Sequence, residues 1–249
     1  MTPRSRVLIT VVAALGSLSV AGCNSPPGRP NPANREVLPT QVMAFDVLYS
    51  RNCAGCHGTD GRLGAARPLN DPVYLALVPP ERLRKIVVEG VPNTSMPAFG
   101  PSTGELTDEQ VDALVKGMLA RWGRPDTVKG VTLPPYEAPA KSASQATAEQ
   151  GAAVYVSACA RCHGPGGQGG PKAGPIVDPS FLALVSDQSL RTTVIAGRPD
   201  LGQPDWREVI PGQPLTPEQI SDLVAWLAGH RGPVPGRPNL GRSPSGSRS

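Results

Sequence analysis

Two short stretches, "CAGCH" at residues 53–57 and "CARCH" at 159–163, each place a pair of thiols and an imidazole within one helical turn's length of chain. Thiols at that spacing can do three kinds of chemistry. A zinc ribbon brings two cysteine pairs onto one ion across roughly 15–20 residues, and these pairs stand about a hundred residues apart. A dithiol redox centre belongs in a βαβ setting, and neither neighbourhood has the alternating apolar pattern of a strand. The remaining chemistry needs the histidine directly after the second cysteine. That pattern attaches a c-type haem: the two thiols add to the vinyl groups, and the imidazole is held beneath the iron. Every cysteine except Cys23 lies in one of the two motifs. The expectation is two covalently bound haem c groups, with thioethers at Cys53, Cys56, Cys159 and Cys162 and iron ligands at His57 and His163.

The elements that must position these groups come twice. "YSRNCAGCHGTDG" (49–61) matches "YVSACARCHGPGG" (155–167), and "DPVYLALV" (71–78) matches "DPSFLALV" (178–185). "LRKIVVEG" (83–90) matches "LRTTVIAG" (190–197), and "LTDEQVDALVKGML" (106–119) matches "LTPEQISDLVAWL" (215–227). An internal repeat of this length means two copies of one unit, at 40–122 and 147–230. Each copy reads as short helices joined by loops. Thr107 with Gln110, and Thr216 with Gln219, have capping-box spacing. Asp71 and Asp178 precede prolines as helix caps, and Gly90 and Gly197 suit a left-handed helix end. Val111, Leu114, Val115 and Met118 recur at helical spacing, as do Ile220, Leu223, Val224 and Leu227. The fold class is all-α, in two tandem domains.

Between the copies, 123–146 is a Pro-, Ala- and Ser-rich linker, and 231–249 has no apolar pattern and reads as a disordered tail. Thirty prolines and twenty-eight glycines among 249 residues make much of the chain loop, and only 4% is aromatic. Side chains alone would give thin cores; a large apolar cofactor in each domain would fill them. The formal charge of +4 comes from the ends, because Arg4, Arg6, Arg231, Arg237, Arg242 and Arg248 lie outside the repeats. The body is left at about −2, which excludes an electrostatic nucleic-acid surface. The first residues have a basic start and an apolar run from Val7 to Val20, short for a membrane span and suited to a signal peptide. That run ends in "VAGC", which resembles the bacterial lipobox. The resemblance implies a signal over 1–22, lipidation of Cys23 and a flexible tether over 23–39. The alternative is an ordinary signal peptide or an uncleaved anchor with a chance cysteine.

With both motifs inside matching repeats, each copy resembles a class I cytochrome c domain, and together they cover nearly all the chain between tether and tail. The resemblance implies a helix leading into the CxxCH motif, a C-terminal helix crossing it, and a proline carbonyl that accepts the proximal histidine's ring N–H. Pro68 and Pro175 stand in the matching places. It also implies an axial methionine loop, and "SMPAF" (95–99) is similar to it, which makes Met96 the distal ligand of the first haem. Met43, assigned to the approach helix, and Met118, on the closing helix's apolar stripe, read as packing. The equivalent stretch of the second copy, "GRPDLGQPDW" (197–206), keeps the proline and the aromatic but has Gln203 where the first has Met96. No methionine follows residue 118. The distal side of haem 2 is therefore open or water-filled first, ligated by Gln203 second, with His230 and Lys172 well behind.

Two functions follow. One is a periplasm-facing, membrane-tethered carrier with no catalytic residues of its own. It would pass single electrons between redox partners such as a quinol-oxidising complex, a terminal oxidase or a periplasmic dehydrogenase, complexes in which similar dihaem chains occur. The other is a haem enzyme or gas sensor working at an open second haem. A weaker third makes the second copy a docking module with a structural haem.

Overall fold

The computed structural model describes residues 28, 31, 36–92, 94–140 and 146–232. Cys23, most of the tether, residues 141–145 of the linker and the tail from 233 lie outside them. The chain divides into one unit ending at Gln41 and a second from Val42 onward. The described part of the first holds a 3₁₀ turn over Pro39–Gln41. Both repeats lie in the second.

The first repeat consists of α1 (Phe45–Asn52), α2 (Ala54–His57), α3 (Pro72–Leu77), α4 (Pro80–Glu89) and α5 (Asp108–Trp122). The second repeats the order as α6 (Ala148–Ala158), α7 (Ala160–His163), α8 (Pro179–Leu184), α9 (Asp187–Ala196) and α10 (Pro217–Gly229). Among the described residues the only β pairing is an isolated bridge between Arg198 and Gln203. The fold is all-α, as two tandem domains. Its helix ends form where the side-chain chemistry places them. Asp71 Oδ1 accepts the N–H groups of Val73 and Tyr74 to cap α3, and Asp178 caps α8 through Phe181 N–H. Complete capping boxes at Thr107–Gln110 and Thr216–Gln219 start α5 and α10, satisfying donors that a bare helix start leaves orphaned.

In each repeat the first and last helices meet across aromatic rings. Tyr49 and Phe45 meet Trp122 edge-on, with centroids 5.0 and 5.5 Å away. Tyr155 stacks on Trp226 at 4.3 Å. Met118 is buried on α5. Met43 does not belong to the approach helix: it precedes α1, which begins at Phe45, and is exposed.

The repeats are packed together. In α3, Val73, Tyr74, Leu75 and Leu77 are all buried, because α9 of the second repeat and the 3₁₀ turn at Pro125–Val128 pack against that helix. The described linker is part of this packing. Arg191, only 2% exposed, donates to the carbonyls of Pro135 and Tyr136 and to Ser221 Oγ. Gln188 donates to Tyr136 O at 2.8 Å, and Arg207 to Thr127 O at 3.0 Å. Arg231, which the sequence assigns to the disordered tail, is instead anchored. Its guanidinium donates to Leu182 O and Val185 O at the end of α8 and pairs with Asp187 at 2.6 Å. The last carbonyls of a helix lack internal partners, and a cation is well placed to take them.

Candidate functional site

The CxxCH residues sit at a break between helices. Cys53 ends α1 and starts α2, and Cys159 does the same between α6 and α7. His57 N–H donates to Cys53 O, and His163 N–H to Cys159 O, each at 3.0 Å. One helical turn thus holds both cysteines and the histidine. Two tyrosines that the sequence reading did not single out fasten each turn: Tyr49 Oη donates to Gly58 O at 2.8 Å, and Tyr155 Oη donates to Gly164 O. The signal was present, since a tyrosine stands four residues before the first cysteine in both motifs.

Each imidazole is fixed by one backbone bond. His57 Nδ1 lies 2.7 Å from Arg67 O, and His163 Nδ1 lies 2.8 Å from Gly174 O. A carbonyl only accepts, so Nδ1 carries the proton and Nε2 keeps its lone pair for a metal. The acceptor corrects the expectation for Pro68 and Pro175, because in both repeats it is the carbonyl one residue earlier. A residue before proline is held in extended backbone, and that geometry points the 67 and 174 carbonyls at the rings. Burial pushes the pKa of His57 down, against the bond to Arg67 O, which favours the neutral ligand form.

All four motif thiols are free. Burial first, then the neighbouring thiol, pushes Cys53 and Cys159 up to about 11. A structural zinc site needs four ligands, and the described residues contain no cluster of three or more potential metal ligands. Free thiol pairs beside an imidazole with a free Nε2 fit covalently attached haem c.

The loops that follow α4 and α9 share a backbone course. In the first repeat Val91 N–H donates to Met96 O at 3.0 Å, and Leu106 N–H to Phe99 O at 3.1 Å. In the second, Arg198 N–H donates to Gln203 O and Leu215 N–H to Trp206 O, both at 3.0 Å. Gln203 therefore occupies the backbone position of Met96. Gly90 and Gly197 close the preceding helices with φ of 70° and 74° and ψ near 180°, an extended region open essentially to glycine alone and not the left-handed helical conformation expected. A Cβ on Gly90 would lie 2.6 Å from Met96 O, and one on Gly197 would lie 2.7 Å from Gln203 O.

The side chains differ. Gln203 Nε2 donates to Thr193 O at 3.2 Å. Two bidentate pairs flank it, Arg198–Asp200 at 2.9 and 2.7 Å and Arg207–Asp205 at 3.0 and 2.6 Å. Val91 and Gly100 stand at the equivalents of Arg198 and Arg207, so the first loop cannot make these pairs. His230 ends α10, with Nδ1 2.8 Å from Trp226 O and its ring edge-on to that tryptophan. Lys172 is exposed in the loop after the second motif.

A doubled turn with two free thiols and an imidazole presenting Nε2, in an all-α setting, defines a class I cytochrome c in two tandem domains. The chain belongs to the family of cytochrome c oxidase, cbb3-type, subunit III, whose family model matches residues 40–116 and 146–227. Membership implies covalently bound haem c and makes the chain an electron-transfer cytochrome. It is 28% identical over 202 residues to the cbb3-type cytochrome c oxidase subunit CcoP of Rubrivivax gelatinosus, covering 79% of this chain and 57% of that one. Against CcoP of Azospirillum brasilense the identity is 26% over 190 residues, covering 70% and 58%. A 70-residue stretch is 39% identical to dihydro-heme d1 dehydrogenase of Pseudomonas aeruginosa, covering 28% and 13%. The chain thus spans less than two thirds of each relative's length. No described helix is long and apolar enough to cross a membrane.

Proposed function

We propose that this chain carries two haem c groups, one per repeat, and passes single electrons between redox partners at the periplasmic face of a membrane. Covalent haem supplies a one-electron couple, and the protein sets its ligands and surroundings. Cys53 and Cys56 attach the first haem and Cys159 and Cys162 the second. His57 and His163 are the proximal ligands, oriented by the carbonyls of Arg67 and Gly174. Met96 is the distal ligand of haem 1, a soft thioether that favours ferrous iron. Haem 2 has an open or water-filled distal position with the Gln203 amide beside it. The domain limits are those of the repeats, 40–122 and 147–230.

One observation carries this reading: the same pinned imidazole and free thiol pair occur in both repeats, and each repeat has a loop of one backbone course but different chemistry. Family membership and the CcoP relatives support a terminal oxidase or a related complex as partner. The lipobox-like "VAGC" supports an anchor at Cys23. Peroxidase-like work at haem 2 is disfavoured, because Asp200 and Asp205 are committed to bidentate pairs with Arg198 and Arg207 and no histidine lies in that loop. The test is carbon monoxide added to the reduced protein. Half the haem should shift its spectrum, and an unshifted or fully shifted spectrum would overturn the assignment of one closed and one open site.

A further inference from the structure

We propose that Arg67 is a positioning residue that couples the two haem sites, holding His57 of the first through its main chain and Gln203 of the second through Thr193. The inference rests on the two-haem reading above and goes beyond it.

Arg67 has no counterpart in the second repeat, where the equivalent position is Gly174. Its carbonyl is the acceptor for His57 Nδ1. Its side chain leaves that loop and crosses to the other repeat, where Nη2 donates to Thr193 Oγ1 on α9. The guanidinium carbon lies 5.2 Å from the centre of the Tyr74 ring. Nη1 is shielded from solvent and has no protein partner. Asp71, in the same repeat, uses Oδ1 to cap α3, and its Oδ2 is also unpartnered. A cation kept inside an interface without an ion pair is costly, so the surroundings, and not a local salt bridge, set where it sits. Burial pushes the Arg67 pKa down first, and the charges of Tyr74, Arg198, Asp71 and Asp200 act on it after that.

Thr193 continues the path. Its carbonyl accepts Gln203 Nε2 at 3.2 Å, and its hydroxyl donates to Ser189 O at 2.8 Å. The Gln203 amide is the element with two arrangements: it stays on Thr193 O, or it turns to a group bound at the distal position of haem 2. Turning takes one of two donors from the carbonyl of the residue that Arg67 grips and leaves it with Gly197 N–H at 2.9 Å. Any shift of Arg67 moves the acceptor of the His57 proton, and that bond sets how strongly the imidazole donates to iron. The coupling must be reciprocal: a ligand at haem 2 changes the reduction of haem 1, and reduction of haem 1 changes ligand affinity at haem 2.

The experiment uses the full chain with both haems, checked first by intact mass; a one-haem mass fails the underlying reading before the coupling is measured. Imidazole is the probe, because it is neutral and so adds no through-space charge. Its affinity for haem 2 is measured with haem 1 oxidised and with haem 1 reduced. In the native chain the two affinities should differ by about fivefold or more, the lower edge of ordinary site-to-site coupling. In Arg67→Met and Thr193→Val the ratio should fall to about one, and Thr193→Ser, which keeps the hydroxyl, should restore it. Thr193→Val also serves should Arg67→Met fail to load haem. Arg62→Met, an exposed arginine bonded only within its own repeat, should leave the native ratio. A native ratio of one, a ratio unchanged in both variants, or failure of imidazole to bind haem 2 would each overturn the proposal.

Discussion

Replacing Gly90 with alanine should damage the first site in a way that can be worked from the geometry. The native φ of 70° and ψ of −166° lie where a side chain costs on the order of 1–3 kcal/mol. The new Cβ would stand 2.6 Å from Met96 O and Pro97 C, whereas ordinary contact begins at 3.4 Å, so the loop must withdraw by about 0.8 Å. That withdrawal stretches the Val91 N–H to Met96 O bond, a further loss of about 1 kcal/mol. Unfolding in urea should show a total loss of about 2–4 kcal/mol. The ferric protein should also lose most of its near-infrared methionine band, because the thioether moves with the loop. Gly197→Ala, in the same conformation, should lose similar stability without touching that band. Gly229→Ala, at the helical end of α10 with open space around it, should be neutral. A Gly90→Ala protein within about 0.5 kcal/mol of the native chain, the range of ordinary surface changes, and keeping its band would refute the close approach of Gly90 to the Met96 loop.

Gln203→Met should create a second near-infrared methionine band and raise the lower of two midpoint potentials, by on the order of a hundred millivolts; potentiometric titration of the variant measures it. Arg191→Met strips Pro135 O of its donors and leaves Tyr136 O with Gln188 alone, so it should destabilise the chain by about 1–3 kcal/mol. It should also speed proteolytic cleavage within 129–140, with the exposed Arg51→Met as control. Cys23→Ser should move the protein from the membrane to the soluble fraction, and a variant that stays membrane-bound would sink the lipid anchor.

Local signals were legible in the sequence wherever the physics is local. Asp71, Asp178, Thr107 and Thr216 cap the helices their spacing announces, because a side chain reaching the second or third N–H needs nothing from the rest of the chain. The motif turns and the equivalence of Met96 and Gln203 were legible because the repeat supplied an internal alignment. Pro68 and Pro175 were misread by one residue, since the orientation of a carbonyl depends on loop geometry that residue type does not encode. The packing of the repeats could not be read at all. Arg67, Arg191 and Arg207 look like surface cations, and only long-range contacts bring them onto Thr193, Pro135 and Thr127. Arg231 is the same case: a basic residue at the edge of an acid-free tail, recruited by the carbonyl end of α8.

The central claim is that both CxxCH turns hold covalent haem c, and the intact mass of the denatured chain tests it most directly. The account predicts the mass of the processed polypeptide plus two haem groups, falling to one in Cys159→Ser/Cys162→Ser and to the other one in Cys53→Ser/Cys56→Ser. A denatured mass with a single haem, or with none, would contradict it.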